Sequence, residues 1–361
     1  MKILILANND IGIYKFRKEL IEKLISLGHE VYISLPYGEF VPLLKQIGCK
    51  FVDTPIDRRG VNPLKDFKLL LLYKKIIKKT NPNVVLSYTI KPNVYGGIIC
   101  TWNKVPYISN ITGLGTAVEN KGILQLITTL LYKFALQNAQ TVFFQNEENE
   151  KFFSGKKIAI GKHKMLPGSG VNLSYYQLLP YPNDNIVEFV FVGRIMKEKG
   201  IDQYLNAAKV IHKRHPNTRF HVCGFCEQAY EETIQKLQNI GIIIYHGLVD
   251  DMREIYKVTH CTIHPTFYPE GLSNVLLESA ACGRPIITTN RAGCREVVDN
   301  GINGFTIKEK DSRDLIDKIE KFLQMTIEGK REMGHAGRKK VERQFDRQIV
   351  INKYLLELEK L

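Results

Sequence analysis

The sequence predicts an α/β protein made of two Rossmann-like, parallel-sheet domains in series, facing each other across a cleft. Three observations lead there. The chain has 361 residues, enough for two domains of ordinary size. Short apolar runs bounded by Gly, Pro or Asn alternate with helix-length segments in both halves, the β-α-β rhythm of a parallel sheet covered on both faces. Between the halves lies a stretch rich in Pro, Gly, Asn and Ser, about 163–185, which reads as a linker. The expected boundaries are a first domain over 1–165, a second over 166–342 and a terminal helix over 343–361 that crosses back to the first domain.

In the first half the runs KILILA, HEVYISLP, CKFVDTPI, NVVLSYTI, PYISNIT and TVFFQN read as strands. A helix from about Tyr14 to Leu27 ends at Gly28, and others fill the remaining gaps. The second half repeats the pattern with VEFVFVG, RFHVCG, IIIYHG, CTIHP and PIITT, with helices over 202–214 and near 228–238. The segment after Arg343 has helical spacing at Ile349, Tyr354, Leu355 and Leu358.

Composition narrows the function classes. Hydrophobic residues make up 44% of the chain, which is enough for two cores and argues against disorder. The opening KILILAN run is too short for a signal peptide, and the most apolar stretch, residues 122–134, is too short to span a bilayer. A cytoplasmic protein is expected. Seven cysteines, an odd number, point to reduced thiols. Cys223 and Cys226 have CxxC spacing without a second pair, and read as structural thiols ahead of redox or metal ligands. The net charge of +14 is uneven: residues 1–165 hold 24 Lys and Arg against 12 Asp and Glu, a net +12. Such a half suits a polyanionic partner: nucleic acid, an anionic membrane or a phosphorylated acceptor.

The most informative stretch begins at His264. A strand end leads through Tyr268, Pro269 and Glu270 to a turn at Gly271, then to a helix with Ser273 as N-cap and Gly283 as its stop. The amides of Leu272, Ser273, Asn274 and Val275 would present N–H groups and the positive helix end to an anion. Glu270 before the helix and Glu278 inside it supply carboxylates suited to sugar or ribose hydroxyls. Upstream, a strand runs into Gly193 and Arg194, with Lys199 just before Gly200. Arg gives a fork for phosphate oxygens and Lys a compact charge. Gly224 and the Gly247–Asp250 loop, with Val249, fall at the next two strand ends.

These residues carry a resemblance. EGLSNVLLE, followed by ACGRPIITT and GCREVVDNGINGF, together with FVGRIMKEKG, resembles the E-x7-E region and the GR-x4-KG pattern of the retaining glycosyltransferases of family GT4, which have the GT-B fold. The resemblance implies that Arg194 and Lys199 neutralise a donor diphosphate. It also implies that Glu278 binds ribose hydroxyls, Glu270 contacts the donor sugar, and the loop at Val249 meets the base. The implied donor is a UDP-sugar, an N-acetylhexosamine or related hexose. The implied acceptor is a lipid-diphosphate-linked saccharide of the kind extended for capsule, O-antigen or protein glycosylation, at the inner membrane face. No D-x-D triplet occurs, and no Cys/His cluster has zinc spacing, so no metal or other cofactor is expected.

The first half offers weaker acceptor candidates: Gly12, Lys15 and Arg17 after the first strand, Lys91 after the fourth, and Thr112 and Gly113 after the fifth, with Glu119 nearby. Members of the family often carry a His where Thr112 stands, so a His-dependent step is not expected. On a helical wheel of residues 66–79, Lys68, Lys74, Lys75, Lys78 and Lys79 share one side with Phe67 and Leu71, as a helix lying on anionic lipid would. A solvated basic face is the alternative. The segment after Asn120 reads either as a core helix or as a second lipid contact. Two other functions stay open. A UDP-sugar epimerase would share the phosphate loops, and a nucleic-acid-binding protein would explain the charge but leave both glutamates and both cations unused. A nicotinamide dehydrogenase is disfavoured, since neither opening strand runs into G-x-G-x-x-G.

Overall fold

The computed structural model describes residues 1–57, 60, 62–114, 122–183 and 185–361. They form two compact units. Unit 1 contains Met1–Ser169, Pro269–Leu272 and Gln348–Leu361; unit 2 contains Gly170–Tyr268 and Ser273–Arg347.

Unit 1 holds seven parallel strands: β1 (Lys2–Leu6), β2 (Glu30–Leu35), β3 (Lys50–Asp53), β4 (Val84–Tyr88), β5 (Tyr107–Ile111), β6 (Thr141–Phe144) and β7 (His163–Met165). Their order is β3-β2-β1-β4-β5-β6-β7. One face of the sheet is covered by α1 (Asp10–Ser26) and α2 (Val41–Gln46). The terminal helix, which begins at residue 347 and ends at Leu358, completes that cover with buried Val350, Ile351, Tyr354 and Leu358. The other face takes α3 (Pro63–Thr80), a π-helical turn (Pro92–Gly96) running into α4 (Gly97–Trp102), α5 (Ile123–Leu136) and α6 (Glu147–Gly155). Leu69, Tyr73, Ile76 and Ile77 of α3 share one core with Val94, Ile99 and Cys100, and with Tyr132, Ala135 and Leu136 of α5.

Unit 2 holds six parallel strands: β8 (Val187–Val192), β9 (Thr218–Cys223), β10 (Ile244–Gly247), β11 (Cys261–His264), β12 (Ile286–Thr289) and β13 (Gly304–Ile307). Their order, β10-β9-β8-β11-β12-β13, repeats the first six positions of the other sheet. Its helices are α7 (Ile201–Arg214), α8 (Glu231–Asn239), α9 (Met252–Val258), α10 (Asn274–Ala281), α11 (Ser312–Leu323) and α12 (Ile327–Gln344). The terminal helix of unit 1 is α13.

Several expectations need correcting. The first helix begins at Asp10, four residues before Tyr14, because Asn9 caps it by accepting from the Gly12 amide at 2.6 Å. β7 lies at the start of the expected linker, and the division falls at Ser169/Gly170. β13 was not anticipated. The terminal helix starts at 347, not 343, because α12 runs on to Gln344 before the chain breaks at Phe345 and Asp346. All seven cysteines are free thiols. Burial pushes Cys223 up to about 12 and raises Cys226 as well, which makes neither a ready nucleophile.

Candidate active site

In a doubly wound sheet, ligands bind beyond the carboxyl ends of the strands, where the strand order reverses. In unit 2 that point lies between β8 and β11. Gly193, Arg194, His264 and the loop to Tyr268 all leave the sheet there.

Glycines let these loops converge. Gly193 has φ 152° and Gly224 φ 140°, and a Cβ on Gly224 would collide with the Gly193 carbonyl. Gly200, with φ 78°, sits against the Pro265 carbonyl, where a side chain would also collide. Phe267 N–H donates to Glu198 O at 2.8 Å and Thr266 Oγ1 to the same carbonyl at 3.3 Å. The loop over 193–200 is thereby fixed to the loop over 265–268. The Arg194 guanidinium lies 5.6 Å and the Lys199 ammonium 5.1 Å from the centre of the Tyr268 ring. Each cation is attracted to the ring's π-face, which offsets part of their mutual repulsion. Arg194 also has Glu227 at 3.9 Å.

The helix start is built as firmly. Ser273 is the N-cap of α10 by position, but its side chain makes no capping bond. Its hydroxyl lies 3.3 Å from His264 Nε2, and its N–H donates to Gly293 O at 2.8 Å. The Ser273 amide is therefore taken, a correction to the expected anion donors, while Asn274 and Val275 remain the first helical amides. His264 is a buried support for the cap. Glu278 is half-buried one turn further on. Burial, reinforced by the Glu278 carboxylate, pushes the Tyr176 phenol up, and that hydroxyl bonds to Glu278. The Arg253 guanidinium stacks 3.9 Å from the Tyr175 ring centre and pairs with Asp251. Val249, like Tyr176, Leu179 and Met252, packs against the buried cluster of Val190, Cys223, Tyr256 and Cys282, and Gly224 N–H donates to Gly247 O at 2.7 Å. Gly193, Arg194, Lys199, Gly224, Val249, Asn274, Val275 and Glu278 thus belong to one unit, at carboxyl strand ends or on α10.

Glu270, Gly271 and Leu272 group with unit 1. Asn146 holds this segment: its side-chain N–H groups donate to Glu270 O at 3.1 Å and Gly271 O at 2.5 Å, while its oxygen caps α6. Gly113, at φ 137°, lies so close that a Cβ would sit 3.1 Å from Gly271 N and 3.2 Å from Pro269 O. Thr112 and Gly113 therefore face the backbone of the glutamate segment.

The other acceptor candidates fare differently. Arg17 is only 3% exposed, its guanidinium 4.9 Å from the Tyr88 ring centre. It is a core residue, not a surface ligand. The Lys91 ammonium is paired at 2.6 Å with Asp66. The Gly12 amide is used by the Asn9 cap, and Lys15 lies on the exposed side of α1. Glu119 falls outside the described residues. Sequence reasoning missed Asn146, Tyr176 and the role of Tyr268. Asn146 had a signal, an Asn between a strand and a Glu-rich helix start. The other two depend on contacts distant in sequence.

Comparison with known proteins agrees with this picture. The family model described as "Glycosyl transferases group 1" matches residues 181–340, and "Glycosyl transferase 4-like" matches residues 2–146. The chain is similar to the capsular polysaccharide biosynthesis glycosyltransferase CapM of Staphylococcus aureus, 30% identical over 85% of this chain and 84% of that one. It is also similar to the N,N'-diacetylbacillosaminyl-diphospho-undecaprenol alpha-1,3-N-acetylgalactosaminyltransferase of Campylobacter jejuni, 25% identical over 90% of each. Among solved structures, Anabaena HepE in complex with UDP-glucose matches with a TM-score of 0.82 and 18% identity, covering 100% of both chains. The chain belongs to the GT4-like glycosyltransferases, and its two parallel-sheet units are those of the GT-B fold.

Proposed function

We propose that the protein moves a sugar, an N-acetylhexosamine or related hexose, from a UDP-sugar to a saccharide carried on a lipid diphosphate. The anomeric configuration is retained, and the reaction takes place at an anionic membrane surface on its cytoplasmic side. The observation that carries this is the strand-end site of unit 2, with Arg194 and Lys199 gathered on Tyr268 and Glu278 held by Tyr176. The names of the Campylobacter and Staphylococcus relatives support the lipid-diphosphate acceptor and the surface glycan product.

In this reading the amides of Asn274 and Val275 and the two cations take the diphosphate. Glu278 binds the ribose hydroxyls and Glu270 the donor sugar. The acceptor oxygen bonds to the anomeric carbon on the face that UDP leaves. The bond from that carbon to the β-phosphate oxygen breaks, and the acceptor proton passes to the departing diphosphate. Charge develops on that diphosphate as the bond breaks, so fixed cations there lower the barrier. They supply the service a divalent ion gives elsewhere, and transfer is expected to survive chelation.

The test is a screen of radiolabelled UDP-sugars against a set of lipid-diphosphate saccharides, with and without chelator. Acceptor-dependent product with retained configuration is the expected result. Epimer formed from the UDP-sugar alone, or strict dependence on a divalent ion, would overturn the corresponding part.

A further inference from the structure

We infer that unit 1 docks on an anionic lipid bilayer through one built face, the outer sides of α3, α4 and α5. This rests on the reading of a lipid-linked acceptor and names the surface that meets the lipid. α3 and α5 pack against the same π-turn and α4 on one side of the sheet, and all send residues into one core. Their outward sides therefore belong to one surface of unit 1.

α5 turns Thr128, Tyr132, Ala135 and Leu136 inward, and it is apolar on its outer side as well. Ile123 (78% exposed), Leu126, Ile127, Leu130 and Phe134 (63%) lie in solvent at successive helical turns. A helix apolar all round is expected in a deep core or in contact with lipid, not at a solvated surface. α3 continues the pattern: Leu64, Phe67 and Leu71 are exposed on its first half, and Lys68, Lys74, Lys75, Lys78 and Lys79 on its outer side and second half. α4, between them, ends in Trp102, 64% exposed and the only tryptophan of the chain.

Charge decides the occupant. α3 carries six lysines and one acid, Asp66, which is already paired with Lys91; α5 carries one lysine and no acid. An apolar strip bordered by cations matches the acyl boundary and headgroups of an anionic membrane. A second copy placed symmetrically on this face would set lysine against lysine. A nucleic acid would match the lysines but leave the apolar strip of α5 without a partner.

The experiment uses the full chain with vesicles of phosphatidylcholine alone or mixed with phosphatidylglycerol, reading co-sedimentation and Trp102 emission. The expected result is binding to the mixed vesicles, at least tenfold weaker binding to the neutral ones, weakening with salt, and a blue shift of Trp102. The double variants Leu126→Gln/Phe134→Gln and Lys74→Glu/Lys75→Glu, all at exposed positions, are each expected to weaken binding about tenfold or more, with unfolding midpoints unchanged. Wild-type-like binding by both variants, equal binding to neutral vesicles, or binding without a Trp102 shift would overturn the assignment. So would a solution dimer that covers Trp102, or tighter binding to duplex DNA than to mixed vesicles. Turnover on a detergent-dispersed acceptor separates the two readings. Turnover without vesicle binding sinks the docking face alone, and vesicle binding without turnover sinks the acceptor alone.

Discussion

The two sheets share the order of their first six strands, yet their strand ends differ in kind. In unit 2 glycines bring backbones together, and the cations that follow stand on an aromatic ring at the strand ends. At the equivalent ends of β1 and β4 in unit 1, one cation has gone into the core and the other is paired: Arg17 under Tyr88, Lys91 on Asp66. Topology supplies a crevice in both. Only in unit 2 does local chemistry leave two cations together at the strand ends, the feature on which the proposed diphosphate site rests.

The sharpest way to break this comparison is to remove cations from each side. Lys199→Ala and Glu278→Ala are expected to lower transfer about a hundredfold or more, since the proposed reaction has the first neutralise the donor's diphosphate and the second hold its ribose hydroxyls. Circular dichroism and unfolding midpoint should not change. Lys91→Ala should change turnover by less than about threefold. Its loss shows instead as roughly 1–2 kcal/mol of stability in urea, because a mostly buried pair is broken. A rise in acceptor KM with no loss of stability would return Lys91 to the acceptor site.

Glycines give the next contrast. Gly224→Ala must displace the Gly193 backbone and is expected to cost about 2–4 kcal/mol and abolish UDP binding. Gly12→Ala meets only the Asn9 side chain at 2.8 Å and should cost about 1 kcal/mol, the worth of a cap. Comparable losses at the two sites would erase the distinction.

Smaller is the effect of Tyr268→Leu, which removes the ring beneath Arg194 and Lys199. Donor Kd, measured by calorimetry, is expected to weaken roughly tenfold, with Tyr268→Phe close to wild type. An equal loss in both variants would mean that the hydroxyl, not the ring face, matters.

The last prediction concerns pH. Burial favours the neutral form of Glu357, but hydrogen bonds from Lys164, Lys360 and Thr141 outweigh it and hold the carboxyl at about 2. The unfolded value is about 4.3, so the stabilisation is complete above it and fades as pH falls from about 4 towards 2. Glu357→Gln should flatten that part of the stability profile; an unchanged acid limb would remove Glu357 from the account.

Much of this was legible in the sequence, for physical reasons. Buried parallel strands are continuous apolar runs, and eleven of them stood out between Gly, Pro and Asn. β7 did not, because HKM is a short, polar edge strand, half exposed. β13 was hidden in a glycine-rich turn and took no part in the expected sheet. The burial of Arg17 could have been read, since it shares the inward stripe of Ile13, Leu20, Ile21 and Leu24. The Lys91–Asp66 pair and the grip of Asn146 on residues 270 and 271 could not, because spacing along a chain carries no record of such distant contacts.

One feature bears on how the protein is made. The cover of the first sheet is completed by Val350, Ile351, Tyr354 and Leu358, with Tyr354 bonded to Asn110 and Glu357 to Thr141. During synthesis, the earliest sheet to emerge therefore waits with one face only partly covered, by α1 and α2, until residue 358 clears the ribosome tunnel. A product cut before Val350 would be one whose oldest part, rather than its newest, is what chaperones and proteases find first.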